Sequence, residues 1–487
     1  MVHQRIRQTL NVVGSFLKYL AFLNFVPLVA SIHYGEEWGI FASPWAIPST
    51  PCIIYLFSGV IVFALGAFLE RRFKSPEAIG RASGFTIVSF TWLCVALLGT
   101  IPYLFFGIGF IDAFFESMSG FTTTGATILP VVEALPKSLL LWRSLTQWLG
   151  GMGVIVLFVA VMPKLGVGGS QLFDREFPGP MPERLRPRIG ITARVLWSIY
   201  VGFTAVEGLA LHFWAGLPTL DSICISLCTM STGGFTPLSA GIGFYANPLA
   251  ESIIIVFMFM AGTNFLLFLH LRRKEFILAR DEEFRLYAII MAVAAGVLAL
   301  SQQPGLWRDG LFQAVSIMTT TGFTTCNFAA WPFGPKMLLL ALMFIGGCGG
   351  STAGGVKVIR ARMLWKHTIA MMKRAISPKA VIPAKYNGEV LPHEIMQDII
   401  SFVFLYVLVL SGAVVVLSFM GLDFETAISA VAATLGNVGP GLGMVGPDMS
   451  YAWIGSAGKI VLTFCMWVGR LELFTAFMVF MPYFWKK

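Results

Sequence analysis

The chain of 487 residues is 56% hydrophobic and 12% charged, and its mean hydropathy is +0.78. A soluble protein of this size cannot bury so much apolar surface, so the composition excludes a soluble enzyme and predicts a protein that lies in lipid. The net charge of +9 falls in loops between apolar runs, which indicates membrane topology rather than a nucleic-acid partner.

A helix needs about 20 mostly apolar residues to cross a bilayer. Ten candidate spans occur along the chain: 13–33, 51–69, 84–106, 139–162, 191–216, 251–270, 286–301, 337–370, 397–420 and 452–482. The first run lacks a small-x-small cleavage site, so we expect it to be retained rather than removed as a signal peptide. The eighth span is interrupted, and the last is long enough to tilt or bend.

Loops between these spans alternate in charge. The segments 34–50, 108–138, 218–248, 302–334 and 421–451 contain only Lys137 and Arg308 as basic residues, whereas the intervening loops hold clusters of lysine and arginine. Basic loops face the cytoplasm in membrane proteins. We therefore predict a multi-pass, all-α protein of the plasma membrane with ten transmembrane helices and both termini in the cytoplasm.

Four short strings rich in glycine and hydroxyl groups lie between paired spans: TTTGA, STGGF, TTTGF and GNVGP. Each follows an apolar run of about ten residues, which forms a helix of roughly 15 Å, half the hydrocarbon thickness. An acidic residue begins each run: Asp112, Asp221, Asp309 and Glu425. Four ordinary interfacial loops are the alternative, but non-helical backbone at membrane depth is tolerated only where protein buries it or where it lines a cavity.

This pattern predicts four pseudo-symmetric helix–pore loop–helix repeats around one pore. The expected boundaries are 71–163, 164–271, 272–376 and 377–487, with the third repeat holding a gate loop, and an N-terminal helix pair precedes them at 1–70. Backbone carbonyls held after a half-helix can replace the hydration shell of a potassium ion. Aligned on Gly125, Gly233, Gly322 and Gly439, the predicted filter residues are Thr122, Thr123, Thr124, Gly125, Met230, Ser231, Thr232, Gly233, Thr319, Thr320, Thr321, Gly322, Gly436, Asn437, Val438 and Gly439.

Further motifs carry a family resemblance over nearly the whole chain: WRSLTQWLGGMGVIVL (142–157), GGSQLFDREFPGP (168–180), GGCGGSTAGGVKVIR (346–360), GNVGPGLG (436–443) and GRLELFT (469–475). With the four strings, they resemble the TrkH/KtrB/HKT superfamily of potassium-uptake proteins, and the N-terminal helix pair resembles its TrkH/TrkG/TrkI branch. In that superfamily, serine at the first filter glycine goes with sodium preference, so Gly125 implies potassium.

The same resemblance implies the assembly. We expect K⁺ in the filter, no organic cofactor in this chain, and a homodimer in the bacterial inner membrane with one pore in each protomer. It also implies a cytoplasmic regulatory ring with Rossmann-type nucleotide-binding domains, docked on the basic loops. Coupled K⁺/H⁺ or K⁺/Na⁺ symport on the same scaffold stays open, and Glu207, Asp398 and Glu472 are the few buried-span carboxylates that could carry a coupled proton.

Two further features lie near the predicted filter. The small residues GGCGGSTAGG interrupt the eighth span, where each glycine costs up to about 1 kcal/mol of helix stability against alanine. A helix-packing surface is one interpretation. The resemblance implies instead a gate loop under the filter, formed by Gly346, Gly347, Gly349, Gly350, Ser351, Thr352, Gly354, Gly355 and Lys357.

Arg470 and Glu472 stand in an otherwise apolar run, and charges at such depth tend to mark function. Two residues apart on a helix, they point in different directions and do not pair readily. The resemblance implies that Arg470 forms a constriction of the pore below the filter, and a structural salt bridge is the alternative.

Enzyme motifs fail on inspection. GSTAGGVK (350–357) lacks the lysine directly after the last glycine that a phosphate-binding loop needs, and HEIMQ (393–397) lacks the second histidine of a zinc protease. We therefore predict a transport protein and not an enzyme.

Overall fold

The computed structural model describes residues 2–36, 51–74, 81–153, 189–272, 280–301, 307–378, 385–390 and 393–486. Three sequence features lie outside these residues: the end of the fourth predicted span at 154–162, the basic loop that follows it, and the motif GGSQLFDREFPGP at 168–180.

Helices dominate the described chain. The N-terminal helices are Val2–Leu23, Phe25–His33 and Pro51–Arg72. The helices that follow are Arg81–Gly99, Ile101–Phe105, Phe110–Phe121, Lys137–Gly151, Ile189–Phe213, Thr219–Met230, Pro248–Ala261, Phe265–Arg272, Glu282–Ser301, Trp307–Met318, Phe333–Ile345, Val358–Ile376, His393–Phe419, Phe424–Leu435, Ser456–Arg470, Phe474–Phe480 and Pro482–Lys486. Single 3₁₀ turns occupy Val132–Ala134, Ile242–Tyr245, Phe328–Ala330, Gly443–Val445 and Tyr451–Trp453.

A short β-hairpin departs from the predicted all-helical chain. Its strands, Lys385–Tyr386 and Glu389–Val390, are antiparallel, with Lys385 opposite Val390 and Tyr386 opposite Glu389. Asn387 has a φ of 47° at the turn, a left-handed conformation that asparagine tolerates better than most residues. The hairpin lies between two long helices, Val358–Ile376 and His393–Phe419.

Six helical segments within the described ranges are long and apolar enough to cross a membrane. They agree with the predicted spans 13–33, 51–69, 84–106, 191–216, 286–301 and 397–420. The predicted tenth span is also helical but bent by 116° between Ser456–Arg470 and Phe474–Phe480. The chain is therefore a multi-pass helical protein.

The predicted sixth span, 251–270, is wrong as a continuous helix. Pro248–Ala261 stops before Gly262, and a new helix begins at Phe265. Asn264 explains the restart, because its side-chain oxygen accepts a hydrogen bond from the Leu266 N–H at 2.9 Å, as an N-cap does. The Gly262 carbonyl meanwhile accepts from the Cys348 N–H at 2.9 Å rather than from a helical neighbour.

Four helices of twelve residues each match the predicted half-helices: Phe110–Phe121, Thr219–Met230, Trp307–Met318 and Phe424–Leu435. The first three have an aspartate in the first turn, which complements the positive helix end. Asp423 caps the fourth by accepting from the Thr426 N–H at 3.0 Å, and hydrogen bonds from Thr426 lower the pKa of this carboxyl. We call these helices half-helices 1 to 4.

Glycines let the N-terminal helices cross closely. A Cβ atom added to Gly14 would lie 2.7 Å from the Gly66 carbonyl oxygen, and one added to Gly66 would lie 2.7 Å from the Gly14 oxygen. Lys18 and Glu70 form an ion pair beside this crossing. Small residues that allow helix backbones to approach are typical of contacts within a bilayer.

Candidate functional site

The four segments that follow the half-helices, 122–125, 231–234, 319–322 and 436–439, share one backbone conformation; we call them the turn segments. In each, the second residue has a positive φ although it is not glycine: Thr123 (54°), Thr232 (51°), Thr320 (56°) and Asn437 (53°). Two residues later comes a glycine with positive φ: Gly125 (81°), Gly234 (80°), Gly322 (81°) and Gly439 (102°). Left-handed threonines are uncommon, so this recurrence marks equivalent positions.

This equivalence corrects the predicted alignment of the second segment. Gly234, not Gly233, takes the position of Gly125, and Gly233 corresponds to Thr124. Met230, assigned to the filter from the sequence, is the last residue of half-helix 2. Two adjacent glycines in STGGF concealed the register, although Asp221 lies 13 residues before Gly234, as Asp112 does before Gly125.

The four turn segments form a closed ring. A Cβ atom added to Gly125 would overlap the carbonyl oxygen of Gly233 in the second segment. In the same way, a Cβ atom added to Gly234 would overlap the Thr321 oxygen, and one added to Gly322 would overlap the Val438 oxygen. A Cβ atom added to Gly439 would overlap the Thr124 oxygen of the first segment, which closes the ring. Four carbonyls, each from the residue before a glycine, therefore meet the neighbouring glycines around one centre.

Side chains of the ring are buried and bind one another. The Thr122 and Thr124 hydroxyls lie 2.8 Å apart. The equivalent hydroxyls of the third segment, Thr319 and Thr321, lie 2.7 Å apart. In the fourth segment Asn437 donates from Nδ2 to Thr124 Oγ1 at 2.8 Å, which joins the fourth segment to the first. Because the half-helices end at the ring, their negative ends also adjoin it.

A buried ion pair that the sequence did not reveal supports two segments. Arg143 and Glu116 are 2% and 0% exposed, and Arg143 Nε donates to Glu116 Oε1 at 2.9 Å. Glu116 Oε2 also accepts from the Ile128 N–H at 3.0 Å, just after the first segment. The Arg143 guanidinium lies over the Phe235 ring at 4.1 Å, just after the second. The two charges are 27 residues apart, and no spacing rule pairs them.

Two more side chains bind carbonyls of the ring. Gln147 Nε2 donates to the Gly233 oxygen at 2.5 Å, and its Oε1 accepts from the Phe235 N–H at 2.9 Å. The Tyr451 hydroxyl donates to the Gly439 oxygen at 2.9 Å. These contacts fix the orientation of the carbonyls, and neither residue type stands out in the sequence.

Cavities lie next to the ring. One, of about 920 Å³, is lined by all four ring glycines and by Asp448. Another, of about 640 Å³, is lined by Asn437, Gly354 and Arg470. No described residue lines both cavities: residues of the turn segments line the first, and residues of the loop at 346–357 line the second.

The loop at 346–357 lies between Phe333–Ile345 and Val358–Ile376 and packs against the ends of the half-helices. Thr352 Oγ1 lies 3.1 Å from the Met230 oxygen and 3.2 Å from the Ala261 oxygen, within donor distance of both. The Gly354 N–H donates to Thr320 Oγ1 at 2.7 Å. A Cβ atom at Gly354 would overlap the Gly436 oxygen, so only glycine permits this approach.

Arg470 ends the helix Ser456–Arg470 and binds backbone oxygens only among its described hydrogen bonds. It donates to the Thr352 oxygen at 2.8 Å, and to the Gly150 and Gly151 oxygens at 2.8 and 3.1 Å. Glu472 pairs instead with Arg360. The two residues therefore have separate partners, but Glu472 lies beyond the end of the helix with a φ of 60°, so the helical spacing behind the prediction does not apply.

Comparison with known proteins places the chain in a family. A family model described as "TrkH: Cation transport protein" matches residues 55–303 and 287–487. The chain belongs to the TrkH family. Its relatives are named as transport proteins rather than as enzymes, which confirms that prediction.

Individual TrkH-family proteins match most of the chain. The Trk system potassium uptake protein TrkH of Salmonella typhimurium is 39% identical over 88% of this chain and 91% of its own. The Trk system potassium uptake protein TrkG of Escherichia coli is 32% identical, with 97% of each chain covered. The crystal structure of the potassium transporter TrkH from Vibrio parahaemolyticus is 34% identical, covers 99% of both chains, and superposes with a TM-score of 0.85.

Proposed function

We propose that this chain carries K⁺ into the cell through the ring of turn segments. The main support is the closed ring of four carbonyls at equivalent positions, each next to a glycine with positive φ. Such carbonyls replace the hydration shell of a dehydrated cation, and the negative ends of four half-helices favour a positive charge there. The relatives named as potassium uptake proteins support K⁺ as the ion.

The membrane arrangement follows from this role. Ten crossings form from the six long helices, the bent tenth span, and three shorter or interrupted segments that contain Lys137–Gly151, Pro248–Ala261 and Phe333–Ile345. Four helix–pore loop–helix repeats at 71–163, 164–271, 272–376 and 377–487 surround one pore, and residues 1–70 form an extension. The protein lies in the bacterial inner membrane with both termini cytoplasmic, because the basic loops face that side.

Control of flux is assigned to the loop at 346–357 and to Arg470. The loop lies against Met230 and Thr320 at the ends of two half-helices, where it blocks the path from the ring to the 640 Å³ cavity. Arg470 adds a positive charge to that cavity and holds the loop through the Thr352 oxygen. A fixed positive charge there raises the barrier for a cation.

Regulation comes from other subunits. The relatives are named as parts of a Trk system, which supports association with further components. We assign to this chain a homodimer with one pore per protomer, and a cytoplasmic ring of Rossmann-type nucleotide-binding domains. The helix Val358–Ile376 is suited to dock that ring, because it directly follows the gate loop and ends in exposed Lys373 and Arg374.

One observation favours coupled transport as a second candidate. Of the three carboxylates considered for coupling, Asp398 is exposed and Glu472 pairs with Arg360. Glu207 is fully buried, and neither of its carboxylate oxygens has a hydrogen-bond partner among the described residues. A buried carboxyl of this kind is suited to carry a proton, so K⁺/H⁺ symport is the alternative function.

Uptake of radioactive rubidium, a potassium analogue, into proteoliposomes tests the proposal. We expect uptake driven by membrane potential alone, and competition by K⁺ far stronger than by Na⁺. A requirement for a proton gradient that Glu207→Gln abolishes would favour the symporter. Equal competition by K⁺ and Na⁺ would contradict a potassium filter.

A further inference from the structure

One buried carboxylate clamps the loop at both of its ends. Glu283, in the first turn of Glu282–Ser301, is 2% exposed. Its Oε1 accepts from the Gly349 N–H at 2.6 Å and from the Ile359 N–H at 3.0 Å. The first donor lies near the start of the loop, and the second lies just beyond its end. A single oxygen therefore holds the two ends of the loop together.

Both donors need this acceptor. Gly349 is buried, and a buried N–H without a partner is costly. Ile359 is the second residue of Val358–Ile376, so its N–H is one of those left free at a helix start. The carboxylate also complements the positive end of that helix.

Glu282, the residue before Glu283, holds the helix Val358–Ile376, which we call the basic helix. Glu282 Oε2 forms ion pairs with Lys366 and, at 3.5 Å, with Arg362, both on Val358–Ile376. Glu282 Oε1 accepts from the Asn387 N–H of the hairpin at 3.2 Å. Glu282, the neighbour of Glu283, therefore holds two successive turns of the helix Val358–Ile376.

Asp281 completes the contacts with the hairpin. Its Oδ2 accepts from Asn387 Nδ2 at 2.8 Å and from the Tyr386 hydroxyl at 3.3 Å. Its Oδ1 accepts from the Phe284 N–H at 2.8 Å, which caps the helix that carries Glu283. We call Asp281, Glu282 and Glu283 the acidic corner.

We propose that Glu283 is a positioning residue that holds the gate loop closed, and that Glu282 transmits movement of the basic helix to it. The inference rests on the gating role given to the loop under the proposed function. A displacement of Val358–Ile376 by a regulatory partner pulls on Lys366 and Arg362, shifts the acidic corner, and releases the Gly349 and Ile359 N–H groups together. The loop then leaves the half-helix ends.

The first test compares Glu283→Ala with Glu283→Gln in proteoliposome rubidium uptake. Alanine removes the acceptor from both N–H groups, so we expect uptake to rise by roughly fivefold or more with an unchanged K⁺/Na⁺ ratio. Glutamine keeps an acceptor oxygen in the same place, so uptake stays near that of the unmodified protein. Glu394→Ala, at an exposed carboxylate in the first turn of His393–Phe419, is the matched control and leaves uptake unchanged.

Outcomes separate this inference from the gate itself. A variant lacking residues 349–354 serves as the reference for an absent gate. Size-exclusion chromatography checks that the Glu283→Ala protein is folded. If the deletion raises uptake and the folded Glu283→Ala protein does not, the proposed role of Glu283 is wrong, whereas the gating role of the loop is supported. If neither variant raises uptake, the gating role fails. Equal behaviour of the alanine and glutamine variants would also overturn the clamp.

Charge reversal tests the transmission step. Glu282→Lys and Lys366→Glu each place like charges together, so each single variant raises uptake. The double variant restores an opposite pair and returns uptake towards the unmodified level. A double variant with the uptake expected from adding the two single effects would refute the role of Glu282.

Discussion

At the residue scale, the glycines of the ring have no room for a side chain. Gly125 has a φ of 81°, and its missing Cβ would overlap the Gly233 carbonyl oxygen. We therefore predict that Gly125→Ser displaces that carbonyl and lowers the K⁺/Na⁺ permeability ratio. Gly234→Ser does the same through the Thr321 oxygen. Bi-ionic reversal potentials measure the ratio.

The control for this substitution is Gly296→Ser. Gly296 lies on the exposed side of Glu282–Ser301, and a Cβ added there meets nothing within 4 Å. Its permeability ratio stays unchanged. An unchanged ratio in Gly125→Ser would remove this glycine from the filter.

The charge of Arg470 is the second feature of this scale. Its guanidinium holds three backbone oxygens, those of Thr352, Gly150 and Gly151. Arg470→Ala removes a positive charge from the proposed cytoplasmic path of the ion, so we predict a severalfold increase in rubidium uptake. Arg470→Lys, which keeps a positive charge at the same place, is the comparison and stays near the basal rate. If Arg470→Ala lowers only the yield of folded protein, its role is structural.

Single residues show where sequence reasoning stops. Apolar runs and the string TTTG were enough to locate Gly125 and Gly322. Adjacent Gly233 and Gly234 could not be told apart, because only the backbone angle distinguishes them. The pair of Glu116 and Arg143 was missed, since a contact across two helices leaves no periodic signal.

At the element scale, the buried pair links half-helix 1 to Lys137–Gly151. Arg143→Met leaves the Glu116 carboxylate buried without its cation, which costs about 3–5 kcal/mol of stability. We predict a clear fall in Tm in detergent. The double variant Glu116→Gln/Arg143→Met carries no buried charge and recovers part of the loss. A Tm for Arg143→Met equal to that of the unmodified protein would show that the pair adds little.

The loop at 346–357 is the gate under the proposed function. Deleting residues 349–354 removes the contacts of Thr352 and Gly354 with the half-helix ends, so we predict increased rubidium uptake. Reduced uptake by a well-folded loop deletion would favour the helix-packing interpretation.

Whole elements were more predictable than their interruptions. Long apolar runs located six spans because lipid imposes a length of about 20 residues. The break at Gly262–Asn264 was missed, because it depends on a hydrogen bond from the distant Cys348 N–H to the Gly262 carbonyl. The length of the last span predicted a tilt or a bend, and the structure bends it by 116° after Arg470.

At the scale of the whole molecule, the proposed topology puts the ring's large cavity outside and the basic helix Val358–Ile376 inside the cell. In a background without the seven native cysteines, we predict that Met449→Cys, 53% exposed near the 920 Å³ cavity, reacts with a membrane-impermeant thiol reagent in intact cells. Ile376→Cys, 84% exposed at the end of Val358–Ile376, reacts only after permeabilisation. Labelling of Ile376→Cys in intact cells would show that the proposed topology is inverted. It would then also contradict the inward direction of transport and the cytoplasmic position of the gate.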